Sequence, residues 1–226
     1  MSIPRCTVCI PAAGSGSRMQ MDEPKQYLPL LDIPILIHSV RAFHRLDTCD
    51  RVIVATDDAA RMQSLLQKYS LEKKIEIVEG GTTRAESVWN CLQRVDDEAL
   101  VLIHDAARPC VTREEIESVV HAVAQYGAAV LAFPARDTIK RAEGNFVKET
   151  VDRSTIFLAQ TPQGATATLF KKAFQFVREH ALAITDDVQA LEAIGVSVRI
   201  VEGKTTNIKV TTQDDLWIAG EILKRR

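Results

Sequence analysis

Short apolar runs alternate with helix-period segments along most of the chain. Runs rich in Val, Ile and Leu over 7–10, 51–55, 74–78, 100–103, 128–133 and 196–201 have the length and bulk of buried strands. Between them, apolar residues recur at three- and four-residue spacing over 35–45, 58–69, 84–94, 113–126, 167–180 and 186–194, and from about 213 to the end, which predicts helices. Asp186 ahead of DVQAL and Thr212 ahead of QDDLWIAGEIL supply N-cap chemistry for the last two. Strand, helix and strand repeated this way imply parallel pairing through right-handed crossovers, with helices on both faces. The expected architecture is an α/β fold with a Rossmann-like, doubly wound, mainly parallel sheet in three layers, residues 1–226 forming a single domain.

One stretch breaks the rhythm. Residues 135–153, ARDTIKRAEGNFVKETVDR, are mostly polar and show two short alternating arms around Gly144 and Asn145, the pattern of a protruding β-hairpin. A two-stranded hairpin is marginal in water by itself. It needs support, either from a second subunit or from the surface of its own domain.

Composition narrows the function classes. With 46% hydrophobic and 26% charged residues in 226, the chain is globular and can bury a substantial core. A formal net charge of −2 gives no general attraction to nucleic acid or to an anionic membrane, so an anionic ligand must be met by a local basic cluster. The apolar segment at 6–11 is far too short to span a bilayer, and no export signal is visible. Five irregularly spaced cysteines fit free thiols in a reducing compartment, so a cytoplasmic location is expected. Cys6 and Cys9 form a C-x-x-C, but they sit inside a strand pattern with no second ligand pair, and structural zinc needs four ligands.

In an open parallel sheet, ligands bind beyond the carboxyl ends of the strands. Four loops satisfy that filter: PAAGSGSRM after the first strand, EGGTTRAES after the third, HDAARP after the fourth and EGKTTNIK after the sixth. The first is not a Walker loop, because no lysine follows Gly16, and not a dinucleotide fingerprint, because Met19 stands where glycine or alanine is required. What remains is Gly14 and Gly16 permitting close backbone approach, Arg18 and Lys25 as cations, and Pro24 restraining Lys25. That suits a nucleoside triphosphate held without a P-loop; a glycine turn flanked by two solvated cations is the alternative. Asp105 could take a metal ion or a ribose hydroxyl, with Arg108 as an anion ligand, whereas His104 reads as a satisfied strand-end residue. In GGTTRAES, backbone amides ahead of Arg84 and Ser87 could read the edge of a base, or Arg84 could be an exposed first-turn residue. Lys209 falls in a short apolar strand, which points to a ligand contact or to a side chain snorkelling to the surface. His38, His44, His121 and His180 have no partner at ligand spacing. G-x-S-x-G and H-E-x-x-H are absent, so serine or zinc hydrolases lack support, and a nicotinamide-dependent reductase lacks its glycine fingerprint.

PAAGSGSRM followed by PKQYLPL, GGTTRAESV, HDAARP, DTIKR, TVDR, AQTPQ, TDD and NIKVT resembles, in order and over nearly the whole chain, the 2-C-methyl-D-erythritol 4-phosphate cytidylyltransferases. The resemblance implies a homodimeric, Mg²⁺-dependent enzyme that transfers CMP from CTP to methylerythritol phosphate and releases pyrophosphate. By the same resemblance Arg18, Lys25, Arg153 and Lys209 are catalytic. Ala12, Ala13, Gly14, Ser15, Gly81, Thr82, Arg84, Ser87, Asp105 and Ala106 surround the nucleotide, Asp105 being the candidate metal ligand if the triphosphate does not hold the ion alone. Asp105, Arg108, Thr138, Arg153 and Lys209 hold the acceptor, and the 135–153 hairpin reaches into the other subunit's site. Thr82 stands where some members have aspartate, and Cys91 where glycine is usual. The rivals are a cytidylyltransferase for ribitol 5-phosphate or another polyol phosphate, a nucleotide-sugar synthase on the same scaffold, and a noncatalytic nucleotide-binding protein. The last would be expected to lack Arg18, Lys25 or Asp105, and all three are present.

Overall fold

The computed structural model describes residues 4–14, 23–72 and 74–226. Seven strands form the main sheet: β1 (Cys6–Pro11), β4 (Cys49–Thr56), β5 (Ile75–Glu79), β6 (Leu100–Ile103), β7 (Ala128–Pro134), β10 (Phe157–Thr166) and β11 (Arg199–Glu202). Two short antiparallel pairs stand apart from it, β2 (Pro29–Leu30) with β3 (Ile33–Pro34), and β8 (Ile139–Glu143) with β9 (Phe146–Val151). The sheet order is β11-β7-β10-β6-β1-β4-β5, and the strands are parallel except β10, which runs antiparallel to both neighbours.

The two-residue period of the strands sorts their side chains into two cores. Val8, Ile10, Val52, Val54 and Leu102 point to one face, under α1 (Ile35–His44), α2 (Ala59–Lys68) and α4 (Arg113–Tyr126). Cys9, Ile53, Val101, Ile103 and Ala165 point to the other, under α3 (Arg84–Leu92), α5 (Ala167–Glu179) and α6 (Asp187–Ala193). The last helix, α7 (Gln213–Lys224), packs on Leu28, Leu30, Ile35 and Val210 in a third, smaller cluster. Reciprocal capping boxes open α3 (Thr83 with Glu86), α4 (Thr112 with Glu115) and α7 (Thr212 with Asp215), while Asp186 caps α6.

The hairpin forms as its pattern predicts, turning at Gly144 in the left-handed region (φ +57°). Its residues from Lys140 to Thr150 are exposed or nearly so, Phe146 and Val147 at the tip being 80% and 65% exposed. Arg141–Glu149 and Lys148–Glu143 ion pairs cross between the arms. Among the described residues, no helix is long and apolar enough to cross a membrane.

Three expectations need correction. The strand β10 went unrecognised, because Pro162 and Gly164 interrupt its apolar pattern and its register breaks between Ala159 and Gln163. The sixth predicted strand begins at Arg199, not at 196, since the Val196 N–H closes the end of α6 on the Leu191 carbonyl. Lys209 is not on a strand: the segment after β11 is held by a turn (Asn207 N–H to Lys204 O) and by a single bond from Val210 N–H to Ala107 O.

Gly164 lies where β10 crosses the α4 layer, and a Cβ there would come within 2.6 Å of Val123 Cγ2 and 2.7 Å of Leu102 Cδ2. Overpacking of this kind costs about 1–3 kcal/mol. Gly164→Ala is expected to lower the unfolding free energy by that much, seen in equilibrium urea unfolding as a lower midpoint with an unchanged denaturant slope.

Candidate functional site

A cavity of about 300 Å³ opens beyond the carboxyl ends of β1, β5 and β6. The segment following β1 contributes Ala12, Ala13 and Gly14; the β5–α3 turn contributes Gly81 to Arg84, with Ser87 behind it. Asp105 to Ala107 enter from the end of β6, and Lys25, Gln26 and Lys209 complete the wall. Lys25 and Gln26 belong to a single 3-10 turn, Lys25–Tyr27, preceded by Pro24 in an extended backbone conformation (φ −58°, ψ 130°). Buried Gln26 donates from Nε2 to the carbonyls of both Ala12 (2.7 Å) and Gly14 (2.9 Å), which pins the glycine-rich segment. Tyr27 anchors the same turn from the other side through Thr56 Oγ1 (3.0 Å) and under the Arg61 guanidinium. The Lys25 ammonium donates to Val210 O at 3.3 Å.

At the opposite wall a buried carboxylate organises the cations. Asp105 Oδ1 accepts from Arg84 (3.0 Å), while Oδ2 lies 2.8 Å from Lys209 Nζ and 3.5 Å from Arg108 Nε. Burial alone would raise the Asp105 pKa, but Arg84, Lys209 and Arg108 outweigh it and hold the carboxyl well below the usual carboxylate range. Arg84 also makes a bidentate pair with Asp187, which is fully buried, at 2.7 Å on each oxygen. Burial pushes Asp187 upward and this pairing pulls against it. Arg84 therefore has its guanidinium committed to two carboxylates.

The unpredicted strand supplies the support. Thr161 Oγ1 accepts the Asp105 backbone N–H (3.1 Å) and contacts His104 Nδ1 (3.0 Å). Gln163 Oε1 accepts the N–H groups of Asp187 and Val188, both at 2.9 Å, and its Nε2 donates to Asp186 Oδ2 (3.0 Å). A second cavity of about 120 Å³ adjoins the first and shares Arg84, Asp105 and Lys209 with it; Arg108, Thr161 and Asp186 are among its other walls. Arg108 is fixed there by donating Nη1 to Asn207 O (2.8 Å).

The predicted residues thus fall into three groups. Ala12, Ala13, Gly14, Lys25, Gly81, Thr82, Arg84, Ser87, Asp105, Ala106 and Lys209 line the larger cavity, and Arg108 lines the smaller. Thr138 and Arg153 stand at the feet of the hairpin and line neither; Arg153 donates to the Arg136 carbonyl. Ser15 and Arg18 lie outside the described residues. His104, as expected, is a buried structural residue with both ring nitrogens engaged, to Thr161 and to Arg108 O.

Two chemical expectations change. The amides of the β5–α3 turn are spent inside it: Gly81 N–H donates to Ser87 Oγ, and the N–H groups of Thr82 and Thr83 donate to Glu86 Oε2, so they are not offered to a base. Asp105, with cations on both oxygens, presents no surplus negative charge to a divalent ion, and among the described residues no group of three potential ligands gathers elsewhere. This donor set does not fit a protein-held magnesium ion. Gln26, Thr161, Gln163 and Asp187 are the supporting residues that sequence reasoning missed; all lie in stretches singled out by motif, PKQY, AQTPQ and TDD.

Residues 6–225 match the family model for 2-C-methyl-D-erythritol 4-phosphate cytidylyltransferase (IspD). The chain is 41% identical over 219 residues to the enzyme of that name from Bacillus thuringiensis, covering 96% of this chain and 97% of that one. It is 42% identical over 220 residues to the Bacillus velezensis enzyme, covering 96% and 95%. The crystal structure of the Francisella tularensis enzyme superposes with a TM-score of 0.84 at 36% identity, covering 96% of this chain and 99% of that one.

The electrostatics predict a pH effect on stability. Burial pushes the His104 pKa down to about 4, against about 6.5 in an unfolded chain. Between those values the unfolded chain binds the extra proton, so this contribution is fully present above about 6.5 and is lost as the pH falls to about 4, by about 3 kcal/mol at most. The stabilisation from Asp105 runs out only below its unfolded pKa of about 3.9. His104→Gln should flatten the slope of unfolding free energy between pH 7 and 4, followed by urea titration at each pH.

Proposed function

The chain belongs to the 2-C-methyl-D-erythritol 4-phosphate cytidylyltransferase family, and on that premise we propose that CTP occupies the larger cavity and the acceptor phosphate the smaller one. The activity is transfer of CMP from CTP to 2-C-methyl-D-erythritol 4-phosphate, giving 4-diphosphocytidyl-2-C-methyl-D-erythritol and pyrophosphate in isoprenoid precursor biosynthesis. One observation carries the assignment of sites: Lys25, Asp105 and Lys209, distant in sequence, converge beside the glycine-rich segment, and the last two also face the adjoining cavity.

The acceptor is a phosphate monoester whose second pKa is about 6, so near neutrality it is already a dianionic nucleophile. It needs no side-chain base, in keeping with a His104 that is buried and held neutral. An acceptor oxygen attacks the α-phosphorus in line, the bond from that phosphorus to the α–β bridging oxygen breaks, and pyrophosphate leaves with the electron pair. The obstacle is repulsion between two anions, so positioning and electrostatics carry the rate. Lys25, together with Arg18 by resemblance, neutralises the charge developing on the triphosphate. Lys209, Arg108, Thr138 and Arg153 hold and aim the acceptor. Ala12, Ala13, Gly14, Ser15, Gly81, Thr82 and Ser87 surround the base and nucleotide, and Asp105 and Ala106 the ribose. Arg84, saturated by Asp105 and Asp187, acts as a strut for Asp105 and not as a phosphate ligand. Magnesium, implied by the resemblance, would arrive with the nucleotide and would supply neutralisation of the triphosphate charge beside Lys25.

Residues 1–226 work as one catalytic unit in the cytoplasm, and the unit is a homodimer joined through the hairpin arm. The exposed Phe146 and Val147, and the position of Thr138 and Arg153 away from their own chain's cavities, support an arm that completes the partner's site.

Pyrophosphate release from CTP and Mg²⁺ should require methylerythritol phosphate, with ribitol 5-phosphate supporting little turnover; the reverse preference would assign a different polyol phosphate. Lys25→Ala should lower kcat about 10²- to 10³-fold, the usual cost of losing a donor aimed at developing charge. An unchanged kcat with a raised KM for CTP would reduce Lys25 to a binding residue. Mixed Lys25→Ala and Arg153→Ala chains should regain part of the activity, since a shared site leaves one hybrid site intact; isolated heterodimers with no recovery would rule out sharing.

A further inference from the structure

Between β11 and α7 the chain runs over 203–212 without helix or strand, yet it carries Lys209, whose ammonium reaches Asp105 at 2.8 Å. Backbone bonds anchor the two ends of this loop, Gly203 N–H to Ala132 O and Val210 N–H to Ala107 O, both at 2.8 Å. Between those anchors two side-chain amides cross in opposite directions. Gln160, on β10 and 3% exposed, donates from Nε2 into the loop, to Lys204 O (2.9 Å) and Asn207 O (3.2 Å). Asn207, on the loop and fully buried, donates from Nδ2 back to Thr161 O on β10 (2.9 Å). Gly203 leaves room for the exchange, since a Cβ there would fall 2.3 Å from Gln160 Oε1.

Packing alone does not favour this arrangement. Gln160 Oε1 and Asn207 Oδ1 are buried with no hydrogen-bond partner among the described residues, and a half-satisfied pair of amides costs stability. What the pair supplies is donors that tie an irregular loop to a strand. Thr161, at the receiving end, also holds the Asp105 N–H through Oγ1 (3.1 Å), so one residue of β10 sets the height of both Asp105 and the loop. We propose that Gln160 and Asn207 are positioning residues for Lys209, fixing where its ammonium stands against the acceptor phosphate. Lysine carries its charge on a flexible four-carbon stem, so the place of its backbone decides where that charge can rest. Gln160 lines the smaller cavity, but its amide donors are directed to the loop, and it acts through Lys209. The inference rests on Lys209 holding the acceptor.

The test measures kcat/KM for methylerythritol phosphate at saturating CTP and Mg²⁺, alongside the Kd of CTP by calorimetry. Gln160→Met and Asn207→Leu nearly keep the side-chain volumes and remove the donors. Each should lower kcat/KM for the acceptor about 10- to 10²-fold, the scale of a small misplacement of a positioning group. The Kd of CTP should change by less than about 2-fold. In a Lys209→Ala chain the same substitutions should cost less than about 2-fold more, because the group they place is already gone; independent effects would multiply instead. Multiplying costs, an unchanged kcat/KM, or an equal loss of CTP binding would each overturn the proposal. Should Asn207→Leu fail to fold, Gln160→Met, which leaves the Asn207 bond to Thr161 in place, decides alone. An unmodified chain that releases no pyrophosphate from CTP and methylerythritol phosphate would overturn the functional reading with it.

Discussion

A carboxylate buried among three cations at the end of β6 is the constraint on which the rest of the site depends. Burying Asp105 and Arg84 is costly unless each is fully paired, and removal of one partner of such a pair costs about 3–5 kcal/mol. The pairing is satisfied only if four separate pieces of chain arrive together. These are the start of α3 with Arg84, the end of β6 with Asp105 and Arg108, the start of α6 with Asp187, and the loop after β11 with Lys209. Two of these pieces are in turn held through their backbone N–H groups, Val210 by the Ala107 carbonyl and Asp187 by Gln163 Oε1. The network sets the spacing of the two cavities, because Arg84, Asp105 and Lys209 form the wall between them.

Much of this was readable from local pattern. Strands β1, β4, β5, β6 and β7 and the helices α1 to α7 of the described residues fall where apolar period and capping residues put them, since each signal is contained within a few turns of chain. Residues of all four loops that follow strands line the larger cavity for the same reason: position after a strand is a local fact. What escaped was long-range. Strand β10 takes its strand character from pairing with β6 and β7 on both sides, which outweighs Pro162 and Gly164. Lys209 was placed in the site through an apolar neighbourhood that proved to be a loop, so its position was anticipated on a wrong structural ground. Arg84 and Asp187 are separated by 103 positions, and no spacing rule joins them.

The two halves of the larger cavity are built to opposite hydrogen-bonding character. Around the glycine-rich segment, Gln26 takes up the carbonyls of Ala12 and Gly14, and Lys25 adds an ammonium. Around the β5–α3 turn, Glu86 and Ser87 take up the amides. Arg84 sharpens the contrast. It sits between the halves as a cation already paired with two carboxylates, so it adds rigidity without extending the positive field towards the β5–α3 turn.

The same division bears on how the chemistry is driven. His104 is neutral and Asp105 ionised throughout the range near neutrality, the first because burial lowers its pKa to about 4, the second because neighbouring cations outweigh burial. His104 cannot exchange a proton with a substrate there without giving up its contact with Thr161, nor Asp105 without giving up its ion pairs with Arg84 and Lys209. A site so arranged cannot use these groups for acid or base catalysis. It suits a reaction whose nucleophile arrives already ionised, and a phosphate monoester with a second pKa of about 6 does so. What the protein must then supply is fixed charge at fixed distance, and a sheet rim stapled by buried ion pairs supplies it at no reorganisation cost when the two anions meet.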